Sequence, residues 1–352
     1  MLTTTNLDIK TPLFYLVRGI HTFLSYWSRY SITPKPAVMY LELTYRCTLK
    51  CSFCDRWIIG PPMRERELKL EEIKVLLNDA AKIGVRYLGL TGGEAFLRPE
   101  IFEIGQFAKS LGMKVTVASN GTLISERTIR EVKKSFDSIT ISVDGASKET
   151  HDKLRGVPGA FDKAMNALDL FKKWHIPTAV NMVVHNQNFK EVDDYFQLFS
   201  KKGIRVQLTP VHDSSTSYFN VKENLKKIDM KEFNEEWARL SQKYKFLRRG
   251  YYRNLPVFLS SPKEVHGAYT CFAGTAVFFV SPLGDVSPCE FLRKKMGNIR
   301  EKSLVTIWKE AKELRRLISS PKRPCVCWVH CAVPMNSKLT TFVALKKQYS
   351  EK

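Results

Sequence analysis

The chain has 352 residues, 44% hydrophobic and 26% charged. That is enough for one large α/β unit plus a smaller one, and it excludes long disorder and a collagen-like structure. A net charge of +21 favours anionic partners (nucleic acid, acidic peptides, anionic lipid, phosphorylated small molecules) without choosing among them. The basic residues are spread out, with local clusters over 243–253 and 293–295, so a solvated basic surface and a dedicated anion-binding face are both open readings.

The first element is an amphipathic helix within residues 11–30. Leu13, Leu16, Val17, Ile20, Leu24 and Trp27 recur at helical spacing, and Arg18, His21, Thr22, Ser25 and Arg29 fall on the opposite side. Its polar groups exclude a transmembrane span. Two readings stand: a helix that packs its apolar face on the domain, or one that lies at a membrane interface. The Pro-containing stretch 32–36 ends it.

A strand-then-helix rhythm follows. Short apolar, β-branched runs at 37–43, 85–91, 114–119, 138–143, 178–184 and 205–210 read as buried parallel strands. Helical patterns fill 70–83, 99–111, 125–135, 160–174 and 189–202. The alternation implies βαβ crossovers and a parallel sheet. Six units are too few for a closed eightfold barrel, so the expected fold is α/β: a partial (β/α)6 TIM-like barrel with a small C-terminal cysteine-rich hairpin and helix domain. The rhythm breaks near 215. A charged helix over 219–244, a hairpin turning at Pro282–Leu283–Gly284–Asp285 and a helix capped by Ser303 are expected next. The expected division is an N-terminal helix and linker over 1–36, a barrel core over 37–215, a helical connector over 216–265, a cysteine-rich domain over 266–335 and a tail over 336–352.

The eight cysteines fall in two groups, Cys47, Cys51 and Cys54, then Cys271, Cys289, Cys325, Cys327 and Cys331. No secretory signal is visible, so a reducing, cytoplasmic setting is expected, where clustered thiols read as metal or redox sites. A structural zinc site wants four ligands, and no fourth Cys or His is near in sequence; the next Cys is 217 residues away. Three thiols just after the first strand, where barrel active sites lie, suggest a metal centre with an open position.

The pattern Cys47-x3-Cys51-x2-Cys54, with Phe53 before the third Cys, resembles the radical S-adenosylmethionine (SAM) enzymes. The resemblance covers about residues 37–210. It implies a [4Fe–4S] cluster on these three thiols, with SAM chelating the remaining iron and cleaved reductively to a 5′-deoxyadenosyl radical that takes hydrogen from substrate. It implies that Gly92, Gly93 and Glu94 meet the SAM amino group, that Ser142 and Asn181 lie near its ribose and that Arg155 lies near its carboxylate. It also implies an external electron donor of ferredoxin or flavodoxin type. Arg suits a carboxylate because it grips with two hydrogen bonds.

The later group, Cys271-x12-Gly284-x4-Cys289 and then Cys325-x-Cys327-x3-Cys331, resembles the SPASM extension or its shorter twitch form. Five cysteines cannot fully ligate the two auxiliary clusters of a complete SPASM domain, so one auxiliary [4Fe–4S] cluster is implied. Its ligands would be Cys271, Cys289 and Cys331, with Cys327 or Cys325 as the fourth. The spare thiol is either inert or a hydrogen donor to a substrate radical. A zinc site with the same thiols is the alternative.

Three functional readings follow. The first is a modifier of a membrane lipid or isoprenoid, with peripheral contact at the inner membrane face. The second is a peptide- or protein-modifying maturase. The third is an iron–sulfur electron-transfer or nucleic-acid-binding protein, against which the intact SAM motifs argue.

Overall fold

Each barrel strand is an apolar run flanked by polar turns, and each is seated by the helix that follows it. A computed structural model describes residues 12–212, 228–265, 269–292, 294–323 and 325–328, with side chains from Val17 onward. Helix α1 spans Pro12–Trp27. Six strands follow: β1 (Val38–Glu42), β2 (Tyr87–Thr91), β3 (Lys114–Ser119), β4 (Ser138–Ser142), β5 (Thr178–Val184) and β6 (Arg205–Pro210). Neighbours pair in parallel in the order β6-β5-β4-β3-β2-β1, so the expected partial barrel is present.

The crossover helices show why the pattern works. Helix α2 (Arg56–Met63) leaves the loop after β1, and α3 (Leu70–Ile83) returns the chain to β2. In α3, Ile73, Leu76, Leu77 and Ala80 are buried against the sheet, each larger side chain contributing about 1.5–3 kcal/mol. Helices α4 (Ile101–Ser110), α5 (Ile129–Ser135), α7 (Ala160–Lys173) and α8 (Val192–Lys201) repeat the arrangement. Helix α6 (Lys148–Arg155) was not expected from its polar sequence. Ser147 caps it by accepting a hydrogen bond from the Thr150 amide at 3.2 Å.

Helix α9 (Met230–Lys243) is capped by Asp229, whose carboxylate accepts from the amides of Lys231 and Glu232. The charged stretch expected to begin that helix at 219 lies outside the described residues up to 227. The C-terminal hairpin is β7 (Val277–Val280) and β8 (Asp285–Ser287), turning at Gly284, where φ is +87°. A third short strand, β9 (Gly297–Asn298), pairs with β8.

The hairpin does not stand apart as its local pattern suggested. Strand β7 pairs in parallel with β1, from Val38 opposite Val277 to Leu41 opposite Val280, so one nine-stranded sheet runs from β6 to β9. Tyr40 of β1 stacks on Phe279 of β7 at 4.7 Å. The expected helix after Ser303 is two helices, α10 (Leu304–Glu310) and α11 (Lys312–Ser319), broken at Ala311; Ser303 caps the first as expected.

Candidate active site

The loop leaving β1 carries Cys47, Cys51 and Cys54, and its course is held by the neighbouring strand ends. Gly92 and Gly93 follow β2 directly, and they let two backbones touch. A Cβ on Gly92, where φ is +134°, would lie 2.3 Å from the Thr44 carbonyl oxygen, and one on Gly93 would lie 2.2 Å from that of Arg46. The Gly93 amide instead donates to the Thr44 carbonyl at 2.8 Å, and the Glu94 amide to that of Arg46 at 2.8 Å. On the other side, the Lys50 amide donates to the Arg155 carbonyl at 2.9 Å and the Ser52 amide to that of Leu154 at 3.1 Å. The cysteine loop is thus tied to β2 and to the end of α6.

These strand ends enclose a cavity of about 210 Å³. Cys47, Cys51, Phe53 and Cys54 line it together with Gly92, Gly93, Ser142 and Arg155. Arg155 is buried, ion-paired with Asp144 at 2.6 Å, and donates to the Cys51 sulfur at 3.7 Å. Its guanidinium lies 5.6 Å from the centre of the Phe53 ring. Asp144, whose own amide donates to His151 Nδ1 at 3.1 Å, fixes where Arg155 points.

Two expected SAM contacts sit differently. Glu94 is fully buried and does not line the cavity. Its carboxylate accepts from the Ser119 hydroxyl at 2.9 Å and from the amides of Asn120 and Phe96 at 2.8 and 3.2 Å, binding the β2 and β3 ends together. Burial, only partly offset by those donors, raises its pKa. Asn181 sits opposite Ser142 in the β4–β5 register and accepts from the Thr209 hydroxyl at 2.8 Å, beside the cavity rather than on its wall.

Two of the three sulfurs, those of Cys47 and Cys51, accept hydrogen bonds. Cys47 accepts from the Leu49 amide at 3.4 Å and from Asn120 Nδ2 at 3.7 Å. Burial raises the pKa of Cys47 and pushes the Cys51 thiol up to about 12. Thiols so placed ionise when a cation sits on them, because metal charge inverts the local pKa balance. Among the described residues no three His, Cys, Asp or Glu side chains are close enough to hold one metal ion. A zinc ion needs all its sulfurs about 2.3 Å from one point, whereas the thiolates of a four-iron cluster are bound to separate irons. The donor set fits a cluster.

The second group is brought together as well. Burial is the main cause that raises the pKa of Cys289, followed by Cys327, Cys271 and Cys325, so four thiols share one neighbourhood, Cys271 and Cys327 buried and Cys289 and Cys325 half-buried. Cys327 is anchored more firmly than Cys325: the Tyr269 hydroxyl donates to its carbonyl at 2.8 Å, and Trp328 next to it receives a hydrogen bond from the Tyr251 hydroxyl on its own carbonyl at 2.8 Å. Cys331 lies outside the described residues.

Sequence reasoning missed the residues that join the two groups. Arg56 and Trp57, just after Cys54, line the cavity, and so does Glu290, the neighbour of Cys289. Arg56 is buried and ion-paired with both Glu42, at the end of β1, and Glu290. A buried-looking Arg beside a cysteine motif was the only available signal, and its partners lie too far away in sequence to name.

Residues 41–199 match the Radical SAM superfamily, and residues 271–332 match SPASM, an iron–sulfur cluster-binding domain. The chain is 29% identical over 307 residues to an AdoMet-dependent heme synthase of Methanosarcina barkeri (strain Fusaro / DSM 804), a match covering 82% of this chain and 86% of that protein. It is 28% identical over 301 residues to a PqqA peptide cyclase of Rhizobium meliloti (strain 1021), covering 83% and 78%. The solved structure of Streptococcus suis SuiB bound to precursor peptide SuiA superposes with a TM-score of 0.62 at 18% identity, covering 90% of this chain and 77% of that one. At that identity the likeness is one of fold.

Proposed function

We propose, from the premise that this chain belongs to the radical SAM superfamily and carries a C-terminal SPASM domain, that it removes hydrogen from a peptide substrate at the cavity above β1–β4. Enzymes of this make-up work with SAM and [4Fe–4S] clusters. The observation that carries the reading is the single cavity lined by Cys47, Cys51 and Cys54 together with Gly92, Gly93, Ser142 and Arg155.

Cys47, Cys51 and Cys54 would hold the [4Fe–4S] cluster, which would supply the electron for reductive cleavage of SAM. The chain's own residues then have defined tasks. Gly92 and Gly93 expose backbone to the ligand, and Ser142 offers a hydroxyl from the β4 end. Arg155, held by Asp144, presents a guanidinium for the SAM carboxylate. Phe53 and Trp57 exclude water from the wall. Glu94 ties the β2 and β3 ends together, and Asn181, opposite Ser142, ties β5 to β6 through the Thr209 hydroxyl. Cys271, Cys289 and Cys331 would hold an auxiliary cluster, with Cys327, the more firmly anchored of the two candidates, as the fourth ligand. The electron comes from an external ferredoxin- or flavodoxin-type donor, for which a +21 chain offers complementary charge.

The peptide reading draws support from the likeness to the PqqA peptide cyclase. A tetrapyrrole substrate is the second reading, favoured by the match to the heme synthase. The lipid reading loses its structural argument, because α1 lies at the opposite end of the strands from the cavity. Anaerobic turnover with SAM separates the readings. A synthetic peptide substrate should yield a product of lower mass together with 5′-deoxyadenosine. Product formation only with an iron porphyrin would replace the peptide by the tetrapyrrole.

A further inference from the structure

Helix α1 is mounted inside out. Its polar side is the one that packs: Ser25 and Thr22 are buried, and Arg18 Nη2 donates to the Gly84 carbonyl at 2.7 Å. Tyr26 meets Phe272 edge-on at 5.8 Å, and the buried Tyr30 lies against Thr275. Its apolar side faces outward, with Val17 53%, Ile20 46%, Leu24 44% and Trp27 45% exposed. Phe23 packs on Trp27 at 4.8 Å, and Ile32 extends the stripe past the helix end. The other barrel helices do the reverse and bury their apolar stripes. An apolar stripe this continuous on a surface marks an interaction site.

Position and charge identify the partner. Gly84 precedes β2, and Phe272 and Thr275 precede β7, so α1 covers the amino ends of the parallel strands. The cavity sits at their carboxyl ends, a strand length of about 15–20 Å away. Around α1 the charge is positive. The Arg18 pKa is lowered by burial and then by the positive charge of Arg86, and the His21 pKa chiefly by burial and then by Lys35 and Arg18. Among the described residues no ion pair joins Arg29, Lys35 or Arg86 to a carboxylate. Nearby acids are already matched, Asp79 by Lys82 at 3.0 Å, Asp137 by Lys114 at 3.6 Å, and Glu313 by Arg316 at 2.6 Å. An interfacial helix with a Trp and flanking cations suits an anionic bilayer.

We propose that the Val17–Ile20–Leu24–Trp27 stripe, with Arg29, Lys35 and Arg86 beside it, docks the enzyme on an anionic lipid surface and leaves the cavity facing the water. The helix is then a tether rather than a route for substrate, and the inference stands or falls independently of the radical chemistry.

Flotation of the reconstituted full chain tests it. Vesicles of phosphatidylcholine containing about a third phosphatidylglycerol should carry the wild type upward, and pure phosphatidylcholine or high salt should weaken this. Ile20→Glu with Leu24→Glu should cut partitioning at least about tenfold, and Arg29→Glu with Lys35→Glu should cut it on anionic vesicles alone. All variants should keep the wild-type Tm and the rate of SAM cleavage. Failure of the wild type to float, or flotation of the Ile20/Leu24 variant like wild type, overturns the proposal. So does a dimer in solution that the same two changes dissociate, or a fall in Tm that shows the stripe to be covered already.

Discussion

Arg56 Nη2 donates to the Glu290 carboxylate at 2.5 Å, joining the residue two beyond Cys54 to the residue after Cys289 across 234 positions of chain. The same nitrogen serves Glu42 at the end of β1. The Cys54 loop and the Cys289 hairpin are therefore locked to one another through a single buried cation, and both face the cavity. Geometry set at one cysteine group is felt at the other.

Removing that cation leaves two carboxylates facing each other in a buried place. Arg56→Met is expected to cost about 3–5 kcal/mol. The pKa of Glu42 is already raised by its burial and would rise further. Chemical denaturation of the reconstituted protein checks this. Glu290→Gln, which keeps the shape and leaves Arg56 paired with Glu42, should cost clearly less. Equal losses in the two variants would show that the bridge does not hold the hairpin.

The two cysteine groups should lose metal independently. A Cys47→Ala, Cys51→Ala, Cys54→Ala protein, reconstituted anaerobically, should keep about half of the iron and sulfide of the wild type, since a cluster of each kind carries about four irons. Iron and sulfide analysis beside zinc analysis reads this directly. Zinc in place of iron at the remaining site would reinstate the zinc alternative for Cys271, Cys289 and Cys327.

Acid should loosen the clamp between α3 and the segment after β9. Arg300 donates to Glu72 at 2.6 Å and to the Arg66 carbonyl at 2.9 Å. That hydrogen bond holds the Glu72 pKa down to about 2. A carboxylate with a lowered folded pKa stabilises fully above its unfolded value of about 4.3 and loses this as pH falls toward the folded one. Solvent screening limits the effect to about 1 kcal/mol. Glu72→Gln should therefore be less stable than wild type at neutral pH and converge with it between about pH 4 and pH 2. A constant difference across that range in denaturation midpoints would contradict the assignment.

The barrel was legible because its strands are apolar on both faces and its helices carry a 3.6-residue period. Those signals are local, and they set Cys47 after β1 and Gly92 after β2; the family resemblance, not the period, pointed to Ser142 and Arg155, which the structure puts at the ends of β4 and α6. What stayed hidden depends on distant partners. Helix α2 contains Pro61 and Pro62, which argue against a helix, and it forms under the tertiary ties of Arg56. Helix α6 is almost wholly polar outside Leu154. The hairpin over 277–287 announces that its strands pair with each other, but nothing in it says that β7 will also pair with β1. Glu94 reads as a charge for a ligand, and only the positions of Ser119 and Asn120 show it spent on holding two loops. Amphipathicity in α1 reveals two faces; which of them meets the protein is decided by Gly84 and Phe272, far along the chain.

The central claim is that Cys47, Cys51 and Cys54 support reductive cleavage of SAM in the cavity they share with Arg155. The direct measurement is 5′-deoxyadenosine formed under anaerobic, reducing conditions by wild type and by Cys51→Ala. The wild type should form it steadily and the variant should form none above background, while still retaining iron at Cys271, Cys289 and Cys327. Undiminished 5′-deoxyadenosine from the Cys51→Ala protein would contradict the account.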